Sequence, residues 1–234
     1  FIEDRIRLMV LNLDTKKVRR ITDGSTWYST DGEFSYAWSP DGKWFTLEFI
    51  GNRHDPYSDI GLVSAQGNSP IVNLTNSGYM SGSPRFALDG NAILFKTERY
   101  GMRAHASWGS QDDAMLIFLN QDAYDKYCLS KEDYELRKEL EAEQKKTQDK
   151  DTAKDKKRSK KETEQEKTGN DKSQVKDIVV ELKNIEDRIV RLTPNSSDMG
   201  SVIISKDGES LYYFAAFEDG YDLWKMDLRK KDTR

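Results

Sequence analysis

Few residues of this chain could do chemistry: the Asp-Gly pairs at Asp41, Asp89 and Asp207, which recur in one pattern, two histidines, one cysteine and one dense lysine run. Asp41, Asp89 and Asp207 recur and invite a calcium reading. A calcium loop needs several oxygen ligands at short fixed offsets, and none of the three has a second or third carboxylate at such spacing. Each instead precedes a glycine between apolar runs, where a side-chain oxygen closes a tight turn. His54 (beside Asp55), His105 and Cys128 are too few and too scattered for zinc, which takes three or four ligands. Ser107 stands two residues from His105. A nucleophile needs a base and a third, orienting group, and the chain has no Gly-x-Ser-x-Gly elbow. No catalytic, metal-ligating or cofactor-binding residue is assigned on these grounds, and no cofactor is expected. Lys154–Lys161 could attract nucleic acid. It lies within residues 131–176, where 15 basic and 13 acidic residues leave a net charge of only +2. That mixture reads as a solvated loop, with no nucleic-acid partner.

The Asp-Gly pairs mark the elements that must position everything else. They stand in Trp38-Ser39-Pro40-Asp41-Gly42, Phe86-Ala87-Leu88-Asp89-Gly90 and Ile204-Ser205-Lys206-Asp207-Gly208. Asp-Gly between apolar runs is a strong hairpin signal, because glycine supplies the positive φ of the turn. A Thr ends the preceding unit in Ile21-Thr22, Leu74-Thr75 and Leu192-Thr193, and an Asp opens a strand in Asp59-Ile60, Asp177-Ile178 and Asp222-Leu223. Thr75 to Asp89 and Thr193 to Asp207 are both 14 residues, and Asp59 to Thr75 and Asp177 to Thr193 are both 16. Asp41 to Asp89 is 48, and a period in the forties with short strands belongs to a four-stranded propeller blade. Asp89 to Asp207 is 118, one period plus 70, so one blade carries an insertion.

The expected fold is therefore all-β: a partial β-propeller of four-stranded antiparallel blades, two full and two partial, over residues 1–234. The first blade contributes strands at Arg7–Leu11 and Lys17–Ile21. The second is complete, with strands near Phe34–Trp38, Trp44–Ile50, Ile60–Ser64 and Ile71–Leu74. The third begins at Pro84–Phe86 and Ala92–Lys96. Both Ala114–Leu119 and Ile178–Leu182 qualify as its third strand; the expectation is that both form, the second in a hairpin with Arg188–Leu192. The fourth has strands at Ser201–Ser205, Leu211–Phe214 and Leu223–Leu228, and no convincing outer strand. Trp38, Trp44, Tyr36, Phe45, Tyr212, Tyr213 and Trp224 fall at strand positions and are expected between blades. The charged insertion is residues 121–176. Within it Ser130-Lys131-Glu132-Asp133 resembles a helix cap, and a helix is expected from about 131 to about 144. Residues from about 145 to 173 are expected to be mobile, because they hold too little apolar surface to fold.

Composition bounds the rest. A net charge of −4 does not by itself call for nucleic acid, and no run approaches the 18 apolar residues of a membrane span. A lone cysteine allows no internal disulfide and fits the cytoplasm or the periplasm; the periplasm is the expectation carried forward. The chain opens at Phe1, which reads as an excised or processed segment. A closed propeller uses four to eight blades, so these sheets are expected to belong to a larger ring.

Ser39-Pro40-Asp41-Gly42-Lys43, followed by an apolar strand and preceded by Leu-Thr-type unit ends, resembles the TolB-type and tricorn-type repeats. A more specific stretch runs from His105-Ala106-Ser107-Trp108-Gly109-Ser110-Gln111-Asp112-Asp113 to Asp122-Ala123-Tyr124-Asp125-Lys126-Tyr127. With the charged insertion and Ile185-Glu186-Asp187-Arg188-Ile189-Val190-Arg191-Leu192, the chain resembles tricorn-like serine peptidases over nearly its whole length. The resemblance implies a non-catalytic propeller that guides or filters peptide substrates. Its partners would be the remaining blades and downstream PDZ-like and peptidase domains. No catalytic motif of that family has a matching position here. Two alternatives remain: a TolB-like scaffold for protein partners in the bacterial envelope, and the propeller of a prolyl-oligopeptidase-type enzyme.

Overall fold

The computed structural model describes residues 1–51, 55–103, 110–143, 176–230 and 232–233. The chain divides into two compact units, residues 1–124 with 176–234 and residues 125–175. The first unit is an all-β partial propeller of four antiparallel sheets, each running from an inner to an outer strand in chain order. The first sheet holds β1 (Ile2–Glu3), β2 (Arg7–Leu11) and β3 (Val18–Arg20). The second holds β4 (Tyr36–Trp38), β5 (Trp44–Phe49), β6 (Asp59–Ser64) and β7 (Val72–Asn73). The third holds β8 (Ser81–Ala87), β9 (Ala92–Thr97), β10 (Asp113–Phe118) and β11 (Ile189–Arg191). The fourth holds β12 (Asp198–Ile204), β13 (Ser210–Ala216), β14 (Asp222–Asp227) and β15 (Asp232–Thr233).

Alternation along the strands sends side chains to both faces of each sheet, and both faces are buried where sheets stack. Phe45, Leu47 and Phe49 of β5 join Leu8 and Ile21 of the first sheet in one core. From the opposite face of the second sheet, Ile60 and Leu62 of β6 join Ile93, Phe95, Met115 and Ile117 of the third. Burying each such side chain contributes about 1.5–3 kcal/mol.

The Asp-Gly pairs at 41–42, 89–90 and 207–208 all turn hairpins. The Ser39 hydroxyl donates to Asp41 Oδ1 (2.6 Å), the Lys43 N–H donates to the same oxygen (3.1 Å), and the Trp44 N–H donates to Ser39 Oγ (2.9 Å). Ser205, Asp207, Glu209 and Ser210 repeat this pattern. At the middle turn Ala87 stands where the serine would be. There Leu88–Gly90 tightens into a single 3-10 turn with Leu88 and Asp89 both at positive φ (53° and 54°).

The structure corrects the reading of the third blade. β10 pairs directly with β11 through Met115↔Arg191, Leu116↔Val190 and Ile117↔Ile189. Ala114–Leu119 therefore supplies the third strand, and Ile178–Leu182 forms no strand and no hairpin. Ile189–Arg191 has already taken the free edge of β10, after a 3-10 turn at Ile185–Arg188. The displaced segment is a strap instead. Ile178 and Val180 pack on the core of the second and third sheets, and the Ile178 N–H donates to the turn carboxylate of Asp41 (2.9 Å). The Glu181 N–H donates to Leu119 O (2.7 Å). Buried Arg188 fastens the far end, donating to the carbonyls of Phe118, Lys183 and Glu181.

Two short strands were not legible in the sequence: β1 in the first sheet and β15, which gives the fourth sheet an outer strand through Met226↔Thr233. Nor was the helix α1 (Gln121–Cys128), whose first turn is capped where the Ala123 N–H donates to Asn120 Oδ1 (2.9 Å). A second helix, α2 at residues 131–143, matches the expected one. Ser130 caps it through the Asp133 N–H (3.1 Å), and Glu141 bonds Arg137 on α2 and Lys126 on α1. The stretch expected to be mobile, residues 145–173, lies outside the described residues, as does Lys154–Lys161.

Candidate functional site

A recurring latch shapes one rim of the sheets, where each third strand begins and each outer strand ends. In the second sheet the Thr75 hydroxyl donates to Asp59 Oδ1 (2.6 Å) and accepts from the Ile60 N–H (3.0 Å); Asn73 Nδ2 donates to Asp59 Oδ2 (2.8 Å). In the third sheet the Thr193 hydroxyl donates to Asp113 Oδ1 (2.7 Å) and accepts from the Ala114 N–H (3.2 Å). Arg191 Nε and the Ser196 hydroxyl complete the shell of Asp113. The first sheet keeps half of the device, the Leu8 N–H donating to Thr22 Oγ1 (2.9 Å). The 16-residue spacing marks Asp177 as the strand-opening Asp of this blade. Asp177 instead pairs with Lys43, both largely exposed. The missed signal was Asp113 itself, an Asp opening the apolar run Ala114–Leu119.

On this rim a cleft of about 510 Å³ opens between the second and third sheets, lined by charged and hydroxyl groups together with apolar residues such as Trp27, Ile50, Pro56 and Met80. Glu48, at the end of β5, accepts from the Ser35 N–H (3.0 Å) and, across the seam, from the Ser83 N–H. β8 bulges between Gly82 and Arg85 to make this contact. A Cβ on Gly82 would press on Glu48 Oε1, so the carboxylate would have to shift for any larger residue there. Lys96, at the end of β9, donates to Met199 O of the fourth sheet (3.0 Å) and lies 3.5 Å from Asp112 Oδ2. Burial raises the Asp112 carboxyl above the ordinary range, against the pull of Lys96, and Glu98 and Asp113 add to the rise. The Asp112 and Ser197 backbones bond each other, tying the third sheet to the fourth. Ser58 and Ser81 line the wall, the Ser58 hydroxyl donating to Ser81 O (2.9 Å). The mouth thus offers fixed charges of both signs, hydroxyls and backbone groups. Such a set can hold a polypeptide; no nucleophile–base pair stands among the described residues that line it.

The described residues among those weighed in the sequence do not converge. Asp41, Asp89 and Asp207 serve three separate turns. Cys128 is exposed on α1. His54, His105 and Ser107 lie outside the described residues. Among the described residues no group of His, Cys, Asp or Glu is placed to hold a metal ion, and no helix is long and apolar enough to cross a membrane. Phe45 and Tyr213 are core, as expected of strand aromatics, and Trp44 packs against the core. Tyr36 and Trp38 depart from that expectation: they are 39% and 50% exposed, with their rings against Phe45.

No family model matches the sequence, and no curated protein matches it. Solved structures do match in fold. Tricorn protease matches over 99% of this chain, with a TM-score of 0.56 and 12% identity. TolB from Acinetobacter baumannii matches over 97%, with a TM-score of 0.50 and 14% identity. The chain spans 20% of the first and 36% of the second. At such identities what is shared is the fold: four antiparallel sheets of a TolB-like propeller.

Proposed function

We propose that the chain is a non-catalytic propeller segment of a tricorn-like serine peptidase, guiding or filtering peptide substrates towards a catalytic centre elsewhere in the parent polypeptide. The supporting observation is coverage: nearly the whole chain finds its counterpart in one fifth of tricorn protease. The mouth at Glu48, Lys96 and Asp112 gives such a segment a surface suited to peptide. Remaining blades, a PDZ-like module and a peptidase domain are the partners this reading calls for, in the periplasm. A second reading, a TolB-like scaffold that docks folded protein partners in the bacterial envelope, is favoured by the TolB likeness. The charged excursion within the third blade weighs for the first reading, since a regular scaffold has no need of it.

A photo-crosslinking residue at Ser58, on the wall of the mouth, separates these readings. The purified chain should crosslink fluorescein-labelled fragments of unfolded casein and leave them intact. Crosslinking that requires a folded protein would favour the scaffold. Hydrolysis above background, with a serine-directed phosphonate attached to Ser107 and lost in His105→Ala, would overturn the non-catalytic reading.

A further inference from the structure

The register of the third sheet gathers basic and aromatic residues on the rim beside the mouth. Ser81 of β8 lies opposite Thr97 of β9, and Thr97 lies opposite Asp113 of β10. Tyr79, just before β8, therefore meets Arg99 and Tyr100, just after β9. Arg191 ends β11 and reaches the same rim from the far side of β10. The outcome is a ladder of alternating guanidinium groups and rings. Arg103 lies over Tyr79, 4.1 Å from the ring centre. Arg99 stands over both Tyr79 (5.8 Å) and Tyr100 (5.5 Å), and Arg191 over Tyr100 (5.1 Å). All four distances fall within the roughly 6 Å reach of a cation–π contact.

The charge of this ladder is not balanced. Arg191 Nη2 lies 2.9 Å from Asp113 Oδ1, and Arg103 Nε lies 3.9 Å from Glu98 Oε1. Among the described residues no carboxylate pairs with Arg99, which is exposed, as is Tyr100. A guanidinium held over a ring keeps its N–H donors in its own plane, and that planar fork matches a carboxylate. Two rings restrict Arg99 before any ligand arrives, so less ordering entropy is lost on binding. The ladder also abuts the mouth. Met80 follows Tyr79 and lines the mouth, and its N–H donates to Glu98 Oε1 (3.3 Å). Arg103 bridges by its backbone to Ser110, another residue of the lining. An arginine without a counter-charge beside a cleft that suits peptide selects peptides that carry a carboxylate.

We propose that Arg99, held between Tyr79 and Tyr100, binds a carboxylate of the peptide in the mouth and so gives this segment a preference for acidic peptides. The inference rests on the peptide-guiding reading and names its substrate class.

The test uses the whole chain and dansyl-labelled, C-terminally amidated decapeptides, followed by anisotropy. One alternates serine with glutamate, and its twin alternates serine with glutamine. At low salt the glutamate peptide should bind about tenfold more tightly, the worth of a charge-assisted bidentate contact. The advantage should shrink as salt rises from about 20 to about 200 mM. Arg99→Gln and Tyr100→Leu each loosen the site, and at least one with an unchanged thermal melt should lose most of the advantage. The glutamine twin with a free C-terminal carboxylate separates the two sources: a matching gain adds the chain terminus as a ligand, and no gain restricts the site to side chains. Equal binding of the amidated twins, or a full glutamate advantage in both folded variants, would overturn the proposal. Equal twins with casein crosslinking intact at Ser58 would do so while leaving the proposed function standing. A glutamate advantage that depends on Arg99, without crosslinking at Ser58, would count against the proposed function alone.

Discussion

Asp113→Ala should be among the most damaging single substitutions in this chain, and Asp177→Ala should be nearly silent. The Asp113 side chain is fully buried and accepts from Thr193 Oγ1, Ser196 Oγ and Arg191 Nε at 2.7, 2.8 and 3.0 Å. Alanine would strand the Thr193 hydroxyl, itself 2% exposed, without its acceptor. It would also leave Arg191 without its counter-charge. Breaking a buried pair costs about 3–5 kcal/mol. Arg191 is 34% exposed and can rehydrate, so the lower end, about 3 kcal/mol, is expected. With a urea dependence of about 2 kcal/mol/M the unfolding midpoint should fall by about 1.5 M. Lys43 and Asp177 are exposed, and losing that pair should change stability by less than about 0.5 kcal/mol. A double-mutant cycle with Thr193→Val should report a coupling of about 1 kcal/mol between Asp113 and Thr193. The reasoning fails if Asp177→Ala proves as costly as Asp113→Ala, or if the cycle shows no coupling.

Other outcomes follow from the strap and the turns. Gly90→Ala places a methyl against Ile178 Cδ1 at a φ of +90°; it should cost about 2 kcal/mol in urea unfolding, and Ile178→Ala should recover the steric part only. Arg188→Met leaves the carbonyls of Phe118, Lys183 and Glu181 without their donor; a loss of about 2–3 kcal/mol and faster amide exchange at Ile189–Arg191 should follow. Burial pulls the Asp41 carboxyl upward, but hydrogen bonds from the Ser39 hydroxyl and the Ile178 and Lys43 N–H groups outweigh it and hold the group below its ordinary 3.8. A depressed carboxylate contributes stability above its unfolded value and loses it as pH falls through the lower folded value. Amide exchange at Ile178 should therefore be slower in the wild type than in Asp41→Asn at neutral pH, and the difference should close on acidification below the ordinary value.

The mouth illustrates why a site can be invisible in a sequence whose fold is plain. Glu48 reaches Ser83, 35 residues on, and Lys96 reaches the Met199 carbonyl, 103 residues on. Neither contact has a local signature, because each depends on which edges of two stacked sheets face each other. Tyr36 and Trp38 carry the same lesson in reverse. Their alternation is that of buried strand residues, yet they are exposed, because burial depends on what packs over a strand and not on its own pattern.

What the sequence determined by itself is whatever chemistry acts within a few residues. Ser39 and Asp41 close a hairpin two residues apart, Ser130 caps a helix three residues on, and short apolar runs after the turns mark β5, β9 and β13. These interactions form whenever the local chain bends, so their residue types announce them. The tertiary structure decided the rest. Ala114–Leu119 and Ile178–Leu182 are both apolar enough to be strands, and periodicity alone does not choose between them. Only one segment can occupy each edge of β10, and Ile189–Arg191 took the free one, leaving Ile178–Leu182 to bind as a strap through Asp41. Asp113 consequently meets Thr193 across 80 residues, a pairing set by strand register and not by distance along the chain.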